Sequence, residues 1–187
     1  MTRASTALGW AGVLVLALVA GHLRAPRPAT GTPLLLLGPI APLVAQVQWL
    51  RFQASLERGE GERALELAES ALALDPRANA GWERLAAHLL FDRASPEREP
   101  DPARRRSFVA AGLAVVTRGA ELAERPGELA LLAGLALLSK AEVDPELRPG
   151  GARELREEAA TWVERAAALG STQAAELRPH VRARAAE

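Results

Sequence analysis

The sequence predicts an all-α protein: a short stack of antiparallel helix pairs that follows an N-terminal transmembrane helix. Hydrophobic residues make up 49% of the 187 residues but aromatic residues only 4%, and there is no tyrosine. The apolar fraction is therefore mostly Ala, Leu and Val, which suit close-packed short helices better than β-strands. From Pro42 onward, apolar residues recur at helical spacing, and Gly and Pro separate the segments. These observations predict seven helices and no strand.

The composition supports neither nucleic-acid binding nor catalysis. The 23 basic side chains balance 23 acidic ones, so no net positive charge attracts a nucleic acid. The absence of cysteine excludes disulfides, thiol chemistry and cysteine-ligated zinc. The three histidines are scattered, and no nucleophile, phosphate-binding or dinucleotide-binding motif occurs. We therefore expect no enzyme, no catalytic residue, no metal and no cofactor.

Residues 1–23 are predicted to form a membrane anchor. Ala4–Leu23 contains no formally charged side chain, and as a helix it spans about 30 Å, the thickness of a bilayer's hydrocarbon core. A cleaved signal peptide is the alternative, because the most apolar stretch is short. Arg3 before the run nearly balances Arg24 and Arg27 after it. The short basic start favours a single-pass anchor with the domain on the non-cytoplasmic side.

Residues 24–41 are predicted to be a proline-rich apolar linker, followed by the helical domain at 42–187. The linker contains four consecutive leucines, Leu34–Leu37, which resemble the start of a second membrane span. Gly38, Pro39 and Pro42 oppose a continuous helix there. The leucines are therefore interpreted either as an extended segment that packs on the domain or as a stretch that lies on the membrane surface.

The clearest internal repeat lies in residues 60–90. Its first helix, within Glu62–Pro76, carries three alanines on one face at spacings of four and three: Ala64, Ala68 and Ala71. The next helix carries a large-large-small-large stripe: Trp82, Leu85, Ala86 and Leu89. This arrangement resembles the tetratricopeptide repeat, whose pattern is W-x2-L-G-x2-Y followed by A-x3-F and a proline. Ala86, Leu89 and Ala68 replace its glycine, tyrosine and phenylalanine. In degenerate form the resemblance covers residues 43–175.

The Gly and Pro residues that separate the helical segments predict helices at 42–58, 61–75, 78–93, 102–125, 127–141, 150–169 and 171–185. For the helix that starts at Pro102, Asp101 is the expected N-cap. We expect its buried stripe to consist of Phe108, Val109, Gly112, Leu113, Val116 and Ala120. The helix 78–93 places Trp82 in the core.

The resemblance implies about three antiparallel pairs stacked into a solenoid, whose concave surface takes an extended peptide or a helix. Carried over to this sequence, the partner-binding side chains are Glu83, Ala87, Leu90, Phe91, Ala130, Ala133, Leu137 and Lys140. Only Lys140 matches the cations with which some members of the family hold an acidic C-terminus. The implied function is a membrane-tethered protein–protein interaction module or scaffold in a membrane-associated assembly. The alternative is a small structural accessory subunit whose transmembrane helix makes the main contact.

Two groups of polar side chains have competing interpretations. His88 and Asp92, four residues apart on one helix, fit either a metal pair or a hydrogen-bonded pair that faces solvent or supports the helix end, and we expect the second. The basic run Arg104–Arg106 fits phosphate recognition, or it balances the acidic residues of its own loop, which are Glu97, Glu99 and Asp101. Balance within the loop is the expectation.

The first helix of the domain carries two apolar stripes. One consists of Leu43, Val47, Leu50 and Ala54, and the other of Ala45, Trp49, Phe52 and Leu56. One stripe packs against the partner helix of the pair, so the other stripe must be buried against another part of the protein. We expect Leu34–Leu37 to fold back over the stripe that contains Trp49, because Gly38 and Pro39 supply a bend. Such a contact would cap the open end of the helix stack.

Overall fold

A computed structural model of the chain describes residues 38–186, and all regular secondary structure in that range is helical. The predicted anchor Ala4–Leu23 and the segment Leu34–Leu37 lie outside the described residues. Among residues 38–186, no helix combines the length and the apolar character needed to cross a bilayer. This described part of the chain contains seven α-helices: α1 (Ala41–Glu57), α2 (Gly61–Leu74), α3 (Asn79–Ala87), α4 (Pro102–Leu122), α5 (Pro126–Val143), α6 (Gly151–Ala168) and α7 (Thr172–Ala185).

The helix boundaries confirm the predicted ones to within three residues, except that α3 ends at Ala87, six residues before the predicted end at residue 93. Gly59 and Gly170 follow α1 and α6 with φ of 75° and 91°, a left-handed backbone that glycine adopts without steric cost. The side chain of Asp101 accepts a hydrogen bond from the N–H of Ala103 at 2.9 Å, and Pro102 begins α4. The predicted cap is therefore correct.

Short non-α segments flank three of the helices. A 3₁₀ turn, Gly38–Ile40, precedes α1, and a second, Pro145–Leu147, follows α5. A π-helical segment, His88–Arg93, continues α3. Together with α3 it accounts for the predicted helix at 78–93.

Helices that are adjacent in sequence pack against each other. The most extensive contacts join α1 to α2, α5 to α6 and α6 to α7, while α4 contacts both α3 and α5. Small residues permit the close approaches. A Cβ added at Gly134 would lie 2.8 Å from the side chain of Val163, and one at Gly119 would lie 2.9 Å from Trp82. The glycines therefore set the distances between α5 and α6 and between α4 and α3.

The core joins α1–α6 in one hydrophobic cluster, and a second cluster joins α5, α6 and α7. The three alanines predicted to face inward on α2 are fully buried. Trp82 is 4% exposed, as predicted. Its indole Nε1–H donates to the carbonyl oxygen of Pro76 at 2.8 Å, so the polar atom of the ring keeps a hydrogen bond inside the core.

The two apolar stripes of α1 lie on opposite sides of the helix, and only one is buried. Trp49 and Phe52 are 5% and 1% exposed, whereas Leu43 and Leu50 are 68% and 71% exposed. Phe52 meets the ring of His88 edge-on, with 5.6 Å between ring centroids. The expectation that the Trp49 stripe needs outside cover is therefore wrong, because α2 and α3 cover it. Among the described residues, the other stripe is the exposed one: Leu43 and Leu50 are exposed, and Val47 and Ala54 are half-buried.

The loop between the π-helical segment and α4 is fastened to the end of α5 by Arg105. This guanidinium is 3% exposed and donates to the two carboxylate oxygens of Asp144 at 2.6 and 3.0 Å. It also donates to the main-chain carbonyls of Glu99 and Pro100. Hydrogen bonding to Asp144 raises the pKa of Arg105 despite the burial. Balance within the loop holds for Arg104, which lies 3.7 Å from the carboxylate of Glu99, but not for Arg105.

Candidate functional site

A groove of about 630 Å³ lies between α3, the first half of α5 and the turn from α6 to α7. Four leucines line it, namely Leu131, Leu132, Leu135 and Leu169. The other lining residues are polar, charged or small: Glu83, Ala87, Glu124, Arg125, Pro126, Gly127, Glu128, Gly170, Ser171, Thr172 and Gln173. The four leucines are called the floor of the groove below, and the polar and charged lining residues are called its rim. Helices α3 and α5 are the ones that the repeat pattern assigns to the concave surface.

Helix α5 presents the side opposite to the one that the repeat register predicted. Ala130, Ala133, Leu137 and Lys140 are each no more than 3% exposed, whereas Leu135 is 39% exposed. Placing those four side chains on the surface was therefore wrong. The reason is that α5 is buried on two sides, against the α1–α4 part of the main cluster and against α6 and α7. The remaining narrow side carries Glu128, Leu132, Leu135 and Ser139.

The four residues predicted on α3 and its continuation have three different environments. Glu83 and Ala87 line the groove, Phe91 is 39% exposed outside it, and Leu90 is fully buried. The physical reason for the burial of Leu90 is the π-helical segment His88–Arg93, in which each turn takes more residues than in an α-helix. The wider turn rotates Leu90 toward α4, where Gly112 leaves room for its side chain. Leu90 is therefore a core residue.

Most of the groove could not be recognised from the repeat pattern. The lining residues that were not predicted are residues 124–128, Leu131, Leu132, Leu135 and residues 169–173. One signal that could have found them is the pair of glycines on α5, Gly127 and Gly134. A Cβ at Gly127 would lie 2.8 Å from the main-chain nitrogen of Ser171. Both glycines mark where α5 packs closely against α6 and the α6–α7 turn, and Gly127 itself lines the groove.

Asn79 holds the start of α5, and hence one end of the groove, in place. Its side-chain Nδ2 donates to the carbonyl oxygen of Arg125 at 2.7 Å, and its Oδ1 accepts from the N–H of Arg125 at 2.8 Å. Next to this pair, the N–H of Glu124 donates to the carbonyl oxygen of Arg77 at 3.1 Å. Asn79 is buried. These bonds fix the turn before α5 against the turn before α3, so both helices of the groove start from one junction.

The rim of the groove is acidic. Glu83, Glu124 and Glu128 supply three carboxylates against the single guanidinium of Arg125. That guanidinium lies 2.9 Å from the carboxylate of Glu128, so it already has a partner. Within residues 38–186, the carboxylates of Glu83 and Glu124 form no ion pair. A basic segment is thus favoured electrostatically over an acidic one.

Lys140, predicted to meet an acidic C-terminus, is a buried structural residue. Its ammonium donates to the carbonyl oxygen of Ala94 at 2.6 Å, and the side chain is 3% exposed. Burial lowers the pKa of Lys140, nearby Arg105 lowers it further, and Asp144 opposes the shift. Lys140 therefore helps to close the loop before α4 and is not available to a partner on the surface.

His88 and Asp92 form the predicted hydrogen bond, with 3.1 Å between Nδ1 and a carboxylate oxygen. His88 is buried beside Phe52, and Asp92 is exposed. In the part of the chain from residue 38 to residue 186, no three metal-ligating side chains converge on one point. The pair thus supports the end of the π-helical segment.

Comparison with known proteins finds no relative: no family model, no curated protein and no solved structure matches the chain. The candidate site is consequently defined by its own geometry, which is an apolar floor, an acidic rim and a junction fixed by Asn79.

Proposed function

We propose that this chain is a membrane-tethered protein–protein interaction module of the tetratricopeptide kind. The observation that carries this proposal is the groove of about 630 Å³, whose floor of Leu131, Leu132, Leu135 and Leu169 is bordered by polar residues. An apolar surface rimmed by polar groups is typical of a binding site. A single-pass anchor in Ala4–Leu23 would hold the module at the membrane, with the helical domain on its non-cytoplasmic side.

The repeat assignment is supported by the order of the helix contacts. Helices α1–α2, α3–α4 and α5–α6 form three successive pairs, and α3 contacts α5 across the second and third pairs. Trp82 sits at the junction of these pairs, where Gly119 of α4 accommodates it. Stacked pairs of this kind bury a continuous core and leave one helix of each pair facing the ligand. On this basis we propose a short solenoid whose partner-binding surface includes α3 and α5.

The partner segment that fits the groove is apolar and basic. The leucine floor favours an apolar stripe, such as one side of an amphipathic helix. The carboxylates of Glu83 and Glu124, which form no ion pair within residues 38–186, favour Lys or Arg at the edges of that stripe. An acidic C-terminal peptide does not fit, because the rim carries three carboxylates against one guanidinium and Lys140 is buried.

The experiment is co-purification of the tagged full-length chain from detergent-solubilised membranes, with Leu135→Arg as the test variant. Leu135 lies in the groove and is 39% exposed, so the substitution adds a charge without opening the core. Ala73→Arg on the exposed side of α2 is the matched control. We expect Leu135→Arg to reduce recovery of the partner about tenfold, which corresponds to about 1.4 kcal/mol of binding free energy. The control should retain it.

Two results would contradict the proposal. If Leu135→Arg and Ala73→Arg recovered the same proteins in the same amounts, the groove would not be the binding surface. If the partner were lost only when Ala4–Leu23 was replaced by an unrelated transmembrane sequence, the main contact would lie in the membrane, as expected for an accessory subunit.

A further inference from the structure

Helix α1 leaves an apolar strip exposed on the side opposite to the core. The strip consists of the exposed Leu43 and Leu50 and the half-buried Val47 and Ala54, and it is called the α1 strip below. Leu43 and Leu50 are the most exposed large hydrophobic residues between positions 38 and 186, at 68% and 71%. Single exposed leucines are common on protein surfaces, but a continuous strip indicates a contact.

The chain on both sides of residue 38 is unusually free of charge. No charged side chain occurs between Arg27 and Arg51. The first ten residues of α1 thus carry an exposed apolar side with no charge to keep it in water. Such a surface favours an apolar neighbour, because it offers no opposite charge with which a charged neighbour could pair.

The segment directly before the described residues matches the strip in composition and length. Leu34–Leu37 are four consecutive leucines, and Gly38 follows them. From Leu43 to Leu50 the helix rises by about 10.5 Å, and four residues of extended chain span about 13 Å. One pass of the four leucines is therefore long enough to run beside the strip.

The backbone at Gly38 permits the required reversal of direction. Its φ is 37°, in the left-handed region, and a Cβ added there would meet nothing within 4 Å. Glycine adopts this conformation readily, whereas residues with a side chain rarely do. The chain that enters α1 through Gly38–Ile40 can thus come from a segment running antiparallel to the helix.

We propose that Leu34–Leu37 lies along the α1 strip, antiparallel to the helix, and covers Leu43, Val47 and Leu50. This contact does not depend on the groove or on its partner. It shortens the tether, because the domain is then joined to the predicted anchor by residues 24–33 alone.

The test uses the absence of cysteine from the chain, so that one introduced thiol reports one site. Leu50→Cys is placed in the full-length chain in detergent and labelled with a water-soluble maleimide, with Ala73→Cys on exposed α2 as the reference site. We expect Leu50→Cys to react about tenfold more slowly than Ala73→Cys, since the covering segment must open first. Changing Leu34–Leu37 to serine should raise the rate at position 50 to that of the reference and leave position 73 unchanged.

A second variant keeps the test independent of the serine substitutions. Leu36→Cys combined with Val47→Cys should form a disulfide within one chain under mild oxidation, whereas Leu36→Cys with Ala73→Cys should not. Equal labelling rates at positions 50 and 73 with the leucines intact would overturn the proposal. Protection in membranes that vanishes in detergent would assign the strip to lipid, and protection that vanishes on dilution would assign it to a second copy. Either result would also overturn it.

Discussion

The side-chain amide of Asn79 binds both main-chain polar groups of Arg125, with its Nδ2 donating at 2.7 Å and its Oδ1 accepting at 2.8 Å. A carboxamide can do this because it carries a donor and an acceptor side by side, as a peptide group does. The two residues are 46 positions apart in the chain. One side chain therefore joins the turn before α3 to the turn before α5 and sets where the groove begins.

Replacing Asn79 with alanine should destabilise the domain and loosen the groove. The substitution leaves the N–H and C=O of Arg125 without these partners, and each unsatisfied group costs about 1–3 kcal/mol where it stays buried. Urea unfolding followed by circular dichroism measures the loss. Gln53→Ala removes an exposed amide from α1 and should change the free energy of unfolding by less than about 0.5 kcal/mol. Equal stability of the two variants would show that the hydrogen bonds of Asn79 contribute nothing to the stability of the domain.

Replacing Trp82 with alanine should cost about 3–5 kcal/mol, because it empties a large core site between α3 and α4. The indole is 4% exposed, and Gly119 of α4 lies against it. Trp82→Phe should cost less, since it keeps most of the apolar contact and removes mainly the hydrogen bond to Pro76, worth about 1 kcal/mol. Thermal unfolding of the two variants gives both values. A small loss for the alanine variant would mean that the repeat register around Trp82 is wrong.

Replacing Arg105 with methionine should cost about 3–5 kcal/mol, because Asp144 then keeps a buried charge without its partner. Arg106→Met is the matched control. Arg106 is the next residue of the same helix and is exposed, so its replacement should change the free energy of unfolding by less than about 0.5 kcal/mol. Chemical unfolding of both variants measures the two changes in the free energy of unfolding. If the two losses were equal, the buried pair would not hold the loop between the π-helical segment and α4.

The stability of the domain should rise with pH in the alkaline range because of Lys140. Burial lowers its pKa below the ordinary 10.5, so between the two values the unfolded chain binds more protons than the folded one. The free energy of unfolding therefore increases as pH rises through this window. Below the native pKa, the cost of burying the charged ammonium of Lys140 is present in full. The chain has one lysine and neither tyrosine nor cysteine, so no other side chain titrates between about pH 8.5 and pH 10.5.

Urea unfolding at several alkaline pH values measures this slope, with Lys140→Met as the control that has no ammonium to titrate. The slope should be positive for the native chain relative to the variant. A flat or negative difference would mean that Lys140 keeps its ordinary pKa inside the fold.

The helices could be predicted from the sequence because local residues end them. Gly59, Gly170 and the Asp101–Pro102 pair act within a few residues of the boundaries they set. The alanine face of α2 and the position of Trp82 were also predictable, since each helix carries a single apolar stripe with polar residues opposite. In such helices the pattern alone identifies the buried side.

The outward sides of α1 and α5 could not be predicted in the same way. Both helices are apolar on more than one side, so the sequence permits more than one orientation. For α5 the choice depends on two neighbouring clusters, and for α1 it depends on α2 and α3. The burial of Arg105 could not be predicted either, because its carboxylate partner Asp144 is 39 residues away and the three arginines of the run are alike in sequence.

The most direct test of the proposed function is site-specific photo-cross-linking from Leu135 in the full-length chain, within its native membranes. A photoreactive amino acid at position 135 should yield one discrete cross-linked protein, and Glu83→Arg across the groove should abolish it by reversing the rim charge. The same photoreactive group at Ala73 on exposed α2 should yield no such product. Identical products from positions 135 and 73, or a product at 135 that is unaffected by Glu83→Arg, would contradict the assignment of the groove as the partner-binding surface.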